Sequence, residues 1–182
     1  VSLYDDVEKV LVSEAEIQAR VIEIAEEMNS IYSDDDHPLL VCILKGAFLF
    51  LADLTRHLNF RHELDFMEVS SYGRSTKSSG IVRILLDLEN NIQKRHVVIV
   101  EDIIDSGHTL EYILRNLATR NPASLRVATL LSKPSRREVD IDVDFVGFEV
   151  PDEFVIGYGL DYAEEYRNLP FIGVLRPEAY SK

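Results

Sequence analysis

Residues 97–110, VVIVEDIIDSGHTL, hold the side chains with the clearest chemical use. Glu101, Asp102 and Asp105 supply carboxylates in close succession, and Ser106 and Thr109 place hydroxyls around Gly107. Carboxylates accept hydrogen bonds from sugar hydroxyls or hold a magnesium ion that bridges to phosphate. A helical apolar pattern starts at Leu110 and continues at Ile113, Leu114 and Leu117. Residues 105–109 therefore lie at a helix N-terminus, where free N–H groups and the helix dipole attract an anion. Gly107 lets the backbone approach such an anion closely. The neighbouring carboxylates would repel a bare phosphate. A ligand with one terminal phosphate, a ribose and a second, metal-bound phosphate group satisfies all of these demands.

The elements that must position these groups are legible around them. Val97, Val98, Ile99 and Val100 form a continuous β-branched run, which reads as a strand buried on both faces in a parallel sheet. The expected order is strand, acidic turn at Glu101 and Asp102, hydroxyl-rich loop, helix. Ligands of open α/β sheets bind at the carboxyl ends of such strands. A second continuous apolar strand spans 39–44, followed by Lys45-Gly46 and an apolar helix over 47–58. The spaced glycines of a Walker loop are missing there. Further strands are expected at 64–69, 81–87, 125–131, 144–148, 154–157 and 171–175. Ser13-Glu14-Ala15-Glu16 is a capping box opening a helix with Ile17, Val21, Ile24, Met28 and Ile31 on one face. The pattern predicts an α/β fold: a mainly parallel central sheet flanked by helices, in one domain over 1–182. Asp34-Asp35-Asp36 is expected to be a solvated loop, His108 to face solvent, and Arg136-Arg137 to be surface charge.

Composition narrows the classes. The chain has 182 residues, enough for a sizeable core, and a net charge of −13. That charge argues against nucleic acid or an anionic membrane as partner, and no apolar run is long enough to span a membrane. The single cysteine, Cys42, falls inside a predicted buried strand, which points to a reducing, cytoplasmic setting. On so acidic a surface an anionic substrate needs specific basic residues or magnesium, which directs attention to cations at strand ends.

Glu101-Asp102-x-x-Asp105-Ser106-Gly107-x-Thr109 after an apolar strand resembles the phosphoribosyl-pyrophosphate motif of type I phosphoribosyltransferases, and the Glu-Asp pair with Asp105 resembles the hypoxanthine-guanine branch. The resemblance covers nearly the whole chain and implies the family fold, with a small hood built partly from the chain ends. Leu44-Lys45-Gly46 is similar to the family's pyrophosphate-binding loop, whose Leu-Lys peptide is cis. The serine-rich loop 70–80 resembles the catalytic hood, in which Ser71 and Tyr72 close over the reacting centre. Lys133 matches the lysine that reads a purine 6-oxo group. Phe154 matches the ring that stacks on the purine, and Val155 the residue whose carbonyl accepts from the base. Asp161 resembles the residue beside the base that meets a second magnesium, and Arg167 the pyrophosphate-binding arginine.

The implied activity is purine salvage: hypoxanthine or guanine reacts with phosphoribosyl pyrophosphate to give the nucleoside monophosphate and pyrophosphate. In this reading Glu101, Asp102 and Asp161 hold Mg2+, and Asp105 takes the N7 proton. The resemblance also implies a homodimer or homotetramer. Two alternatives stand beside it: a xanthine or broad 6-oxopurine transferase, and a phosphoribosyl-pyrophosphate-sensing regulator that binds nucleic acid. The acidic charge, the Glu101-Asp102 pair and the Leu44-Lys45-Gly46 and Phe154-Val155 segments favour the enzyme.

Overall fold

The computed structural model describes residues 2–71 and 82–180; Tyr72 and most of the expected hood loop 70–80 lie outside them. The elements in chain order are β1 (Val7–Val12), α1 (Glu14–Asn29), β2 (Leu39–Leu44), α2 (Phe48–Thr55), β3 (Glu63–Ser71), β4 (Val82–Leu86), β5 (His96–Ile104), α3 (His108–Ala118), β6 (Ser124–Ser132), β7 (Phe145–Glu149), β8 (Val155–Ile156), β9 (Ile172–Leu175) and α4 (Pro177–Tyr180).

Among the described residues, the main sheet has the order β4-β3-β2-β5-β6-β7. Its pairs are parallel except β3 with β4, which is antiparallel. From β2 the chain first winds outward to β3 and later returns on the other side as β5, so the strand order reverses between β2 and β5. A crevice opens at such a switch point, beyond the carboxyl ends of the strands.

The continuous apolar strands are buried on both faces, as expected. Leu40, Cys42, Val98, Val100, Ala128 and Leu130 pack on the side of α1 and α2. Leu39, Val41, Ile43, Val97, Ile99 and Val127 pack with Leu110, Ile113 and Leu117 of α3 on the other. Alternation along each strand thus divides one apolar run between two cores. The Ser13–Glu16 capping box is present, but α1 ends at Asn29 and leaves Ile31 exposed. Asp36 accepts from the Ser33 amide and hydroxyl at the chain turn, and Asp34 and Asp35 are exposed as expected. Burial, with the nearby Glu101 and Asp102 charges, pushes the Cys42 thiol up to about 12, so it behaves as a small core residue.

A second, small sheet has the order β1-β9-β8, with antiparallel pairs. It joins the two ends of the chain, as expected for the hood. Strand β1 had no counterpart in the sequence reading, because Glu8, Lys9 and Val10 are exposed and blur its pattern. Among the described residues no helix is long and apolar enough to cross a membrane.

Candidate active site

The site is built where β2, β5 and β6 end. One correction comes first: Glu101 and Asp102 are not in a turn. Strand β5 runs through both to Ile104, because parallel pairing continues with Glu101 opposite Thr129 and Ile103 opposite Leu131. The carboxylates are therefore held on a strand. Glu101 is buried, at 7% exposure. Burial, with the adjacent Asp102 carboxylate, raises the Glu101 carboxyl well above its ordinary value. Burial also raises Asp102, although the Ile103 amide and the Arg167 charge pull it the other way.

After the strand comes the anion cradle. Helix α3 starts at His108, earlier than the apolar pattern indicated, with Gly107 as N-cap in the left-handed region at φ 93°. Among the described residues no side chain caps this helix, which leaves its N-terminal amides unclaimed by a cap. A cavity of about 110 Å³ lies here, lined by Glu101, Asp105, Ser106, Gly107 and Thr109 among others. His108 is exposed, and its Nε2 lies 2.7 Å from Glu138 Oε2.

A second cavity, of about 260 Å³, adjoins the same strand end and is lined by Asp102, Ile103, Asp105, Lys133, Phe154, Val155, Leu160 and Asp161. It gathers residues from four separate segments. Lys133 is 7% exposed, and its Nζ donates to the Glu153 carbonyl at 2.8 Å. Its own amide donates to the Ile104 carbonyl at 2.9 Å, which fixes the lysine's backbone beside β5. An ammonium has three N–H donors, so two remain for a ligand. Ile103 and Phe154 give the cavity apolar walls, as a flat heterocycle requires.

The Leu44–Lys45 peptide is cis, as the resemblance implied. Gly46 is pressed between neighbours: a Cβ there would run into the Asp102 carboxylate. Gly159, at φ 100°, faces the Gly46 carbonyl just as tightly. These two glycines bring the loop after β2 and the loop after β8 onto the end of β5. Lys45 Nζ lies 3.0 Å from Glu164 Oε2. Arg167 donates to the Gly159 carbonyl at 2.7 Å and pairs with Asp161 at 3.2 Å and Glu164 at 3.3 Å. Among the described residues its buried Nε has no hydrogen-bond partner.

Of the two arginines read as surface charge, Arg136 is exposed as expected and Arg137 is half-buried, and both also have partners in the cradle loop. Arg136 Nε lies 2.6 Å from Asp105 Oδ1, and its Nη1 is 3.4 Å from Asp152. Arg137 donates to the Asp105 carbonyl at 3.3 Å and to Ser132 Oγ at 2.9 Å. Both tie the segment after β6 to the cradle loop. Their position just after a strand-end lysine was the available signal, but paired charges at a loop read as solvated without the fold.

Among the described residues no group of three or more His, Cys, Asp or Glu side chains is placed to cage a metal. Magnesium does not require one, since it is held by one or two carboxylates together with waters and substrate phosphates. The half-buried Asp102 and Asp161, which line one cavity, could supply carboxylates of that kind, with the buried Glu101 next to Asp102 in the strand.

Fold and site together define a doubly wound α/β protein with two adjoining cavities at its topological switch point, one at a helix N-terminus and one lined by both apolar and charged side chains. The chain belongs to the phosphoribosyl transferase domain family, whose model matches residues 13–163. It is 56% identical over 175 residues to a hypoxanthine-guanine phosphoribosyltransferase of Bacillus subtilis, covering 96% of this chain and 97% of that protein. It is 50% identical over 181 residues to a bifunctional TilS/HprT protein of Listeria monocytogenes, of whose length the match covers 28%. A crystal structure of a hypoxanthine phosphoribosyltransferase from Staphylococcus aureus superposes with a TM-score of 0.94 at 45% identity, covering 99% of this chain and 97% of that one. The fold is thus the type I phosphoribosyltransferase fold, and the protein is a transferase.

Proposed function

We propose that this protein transfers the phosphoribosyl group of phosphoribosyl pyrophosphate to hypoxanthine or guanine, releasing the nucleoside monophosphate and pyrophosphate. One observation carries the reading: Lys133, Phe154, Val155 and Asp105 line one cavity, and Asp105 also lines the cavity at the helix N-terminus beside it. The relatives named above for this activity support it.

In this reading the 5′-phosphate sits on the amides and hydroxyls of residues 105–109, and Glu101 and Asp102 face the ribose hydroxyls. Lys45, the amides around Gly46, and Arg167 hold the pyrophosphate. Phe154 stacks on the purine, the Val155 carbonyl accepts from its N–H groups, and Lys133 donates to O6. A donor-only ammonium accepts a carbonyl there and rejects the amino group of adenine. N9 of the base attacks C1′ as the bond to pyrophosphate breaks, its electrons leave with the pyrophosphate oxygen, and the N7 proton passes to Asp105. Glu101 and Asp102 would hold one magnesium and Asp161 would meet a second, and such ions would neutralise the charge that develops on the leaving group.

The chain acts as one phosphoribosyltransferase domain in this proposal, in the cytoplasm, as a homodimer or homotetramer. Exposed Leu64, Phe66, Leu85 and Leu86 on β3 and β4 offer apolar surface for such a contact, which sedimentation would check.

The test is steady-state turnover with phosphoribosyl pyrophosphate and magnesium, offering hypoxanthine, guanine, xanthine, adenine and uracil in parallel. Turnover of hypoxanthine and guanine, with little of adenine or uracil, is expected. A preference for xanthine would keep the mechanism and change the specificity. No turnover of any base would overturn the proposal.

A further inference from the structure

Phe154 poses a physical problem. The residue is 43% exposed and precedes the two-residue strand β8, so little sheet packing is available to hold its ring. Its carbonyl accepts from the Leu175 amide at 2.9 Å, which fixes the backbone but not the ring. A half-exposed phenylalanine free to change rotamer would have to be immobilised each time a flat ligand stacked on it, at a cost in affinity.

Two tyrosines meet this ring. Tyr162 presents an edge contact, with centroids 5.6 Å apart and planes at 87°. Tyr180 lies at 5.5 Å with planes inclined by 33°. The tyrosines also touch each other, at 6.3 Å and 61°, so the three rings form a closed cluster. Both geometries fall within the range in which aromatic pairs attract. The rings come from three segments: the approach to β8, the loop after it, and α4. Phe154 lines the 260 Å³ cavity and neither tyrosine does, so the tyrosines brace the ring from outside that cavity.

We propose that Tyr180 and Tyr162 are positioning residues for base binding, and that α4 thereby belongs to the purine-binding apparatus. The inference rests on the proposed role of Phe154. The brace fixes the Phe154 ring before the base arrives, so the base does not have to order it. The gain is confined to the base: phosphoribosyl pyrophosphate, bound by residues 101–109, Lys45 and Arg167, does not depend on it.

The experiment uses the full chain with Tyr180→Ala, Tyr180→Phe and Tyr162→Ala, measuring initial rates with each substrate varied in turn. Immobilising one side chain costs roughly 2- to 12-fold in affinity, so Tyr180→Ala should raise KM for hypoxanthine and guanine by about that factor. KM for phosphoribosyl pyrophosphate and kcat should stay within about twofold, and Tyr180→Phe should restore the wild-type purine KM because the ring contact is kept. An unchanged purine KM in a folded Tyr180→Ala protein overturns the proposal. So does a parallel loss in both KM values and kcat, the mark of a merely structural role. If Tyr162→Ala fails to fold, the Tyr180 pair decides alone. Absence of purine turnover in the unaltered protein would instead defeat the functional reading beneath it.

Discussion

Replacing Lys133 with methionine isolates the group proposed to read the base. Methionine has nearly the same reach and an apolar stem, so the wall of the cavity keeps its shape while its donors disappear. In the protein as it stands, Nζ is buried and spends one donor on the Glu153 carbonyl at 2.8 Å. A hydrogen bond from a charged donor to a ligand oxygen is worth about 1.5–3 kcal/mol, so kcat/KM for hypoxanthine should fall roughly 10- to 150-fold in Lys133→Met. Adenine should not share the loss. The ammonium opposes its exocyclic amino group, and removing the cation removes that opposition. The hypoxanthine-to-adenine ratio should therefore collapse by at least the same factor. The Glu153 carbonyl also loses its donor, which costs about 1 kcal/mol and lowers Tm by roughly 2–4 °C in a domain of this size. Initial rates with both bases, beside a thermal melt, measure all three quantities. A fall of less than threefold for hypoxanthine, or equal falls for both bases, would refute the assignment of Lys133 to O6.

Three further outcomes follow from the geometry. Asp105→Asn should lower kcat by about 100- to 10,000-fold with Tm little changed, whereas Arg136→Ala should lower it by less than about fivefold, because both members of that ion pair are half exposed; equal losses in the two variants would show that Arg136 does more than pair. Gly159→Ala combines a left-handed backbone with a collision against the Gly46 carbonyl, so it should cost about 1–3 kcal/mol and lower Tm by roughly 2–12 °C, and a shift under 1 °C would contradict the close approach. The third concerns pH. Burial raises Glu101 above its unfolded value of 4.5, so the folded chain keeps a proton that the unfolded chain releases. Its contribution to stability is full below that value and is lost as pH rises towards the folded pKa, at most about 1.4 kcal/mol per pH unit. Melts of the metal-free protein should thus fall more steeply with rising pH above 4.5 than those of Glu101→Gln, and parallel curves would remove this carboxyl from the linkage.

Much of the fold was legible because its strands are buried on both faces. The apolar run Leu39–Leu44 has the same bounds in sequence and structure. Capping at Ser13 was equally local, since Glu16 needs only one helical turn to reach back to the serine amide. The acidic pair was misplaced for the opposite reason. Adjacent carboxylates favour turns and solvent in isolation, and only pairing with Thr129 and Leu131 of β6 carries the strand through them. Strand β1 escaped because it is largely exposed and pairs with β9 near the other end of the chain. Of the candidate site, Tyr72 lies outside the described residues, while Lys133, Phe154, Val155 and Asp161 meet on one cavity with Asp105.

What the sequence by itself determined was the chemistry available: carboxylates and hydroxyls in the stretch from a doubly buried strand to a helix, a lysine at a strand end, and an aromatic beside a short strand. Residue types and local periodicity suffice for that, because strand, helix and cap each depend on neighbours a few positions away. Only the tertiary structure decided which of these groups face one another. Gly46 and Gly159 set that meeting by allowing two distant loops to close onto β5 without a side chain between them. It also enlisted Arg136, Tyr162 and Tyr180, whose partners are remote in the chain, because an ion pair or a ring contact depends on distance in space and leaves no mark in local sequence.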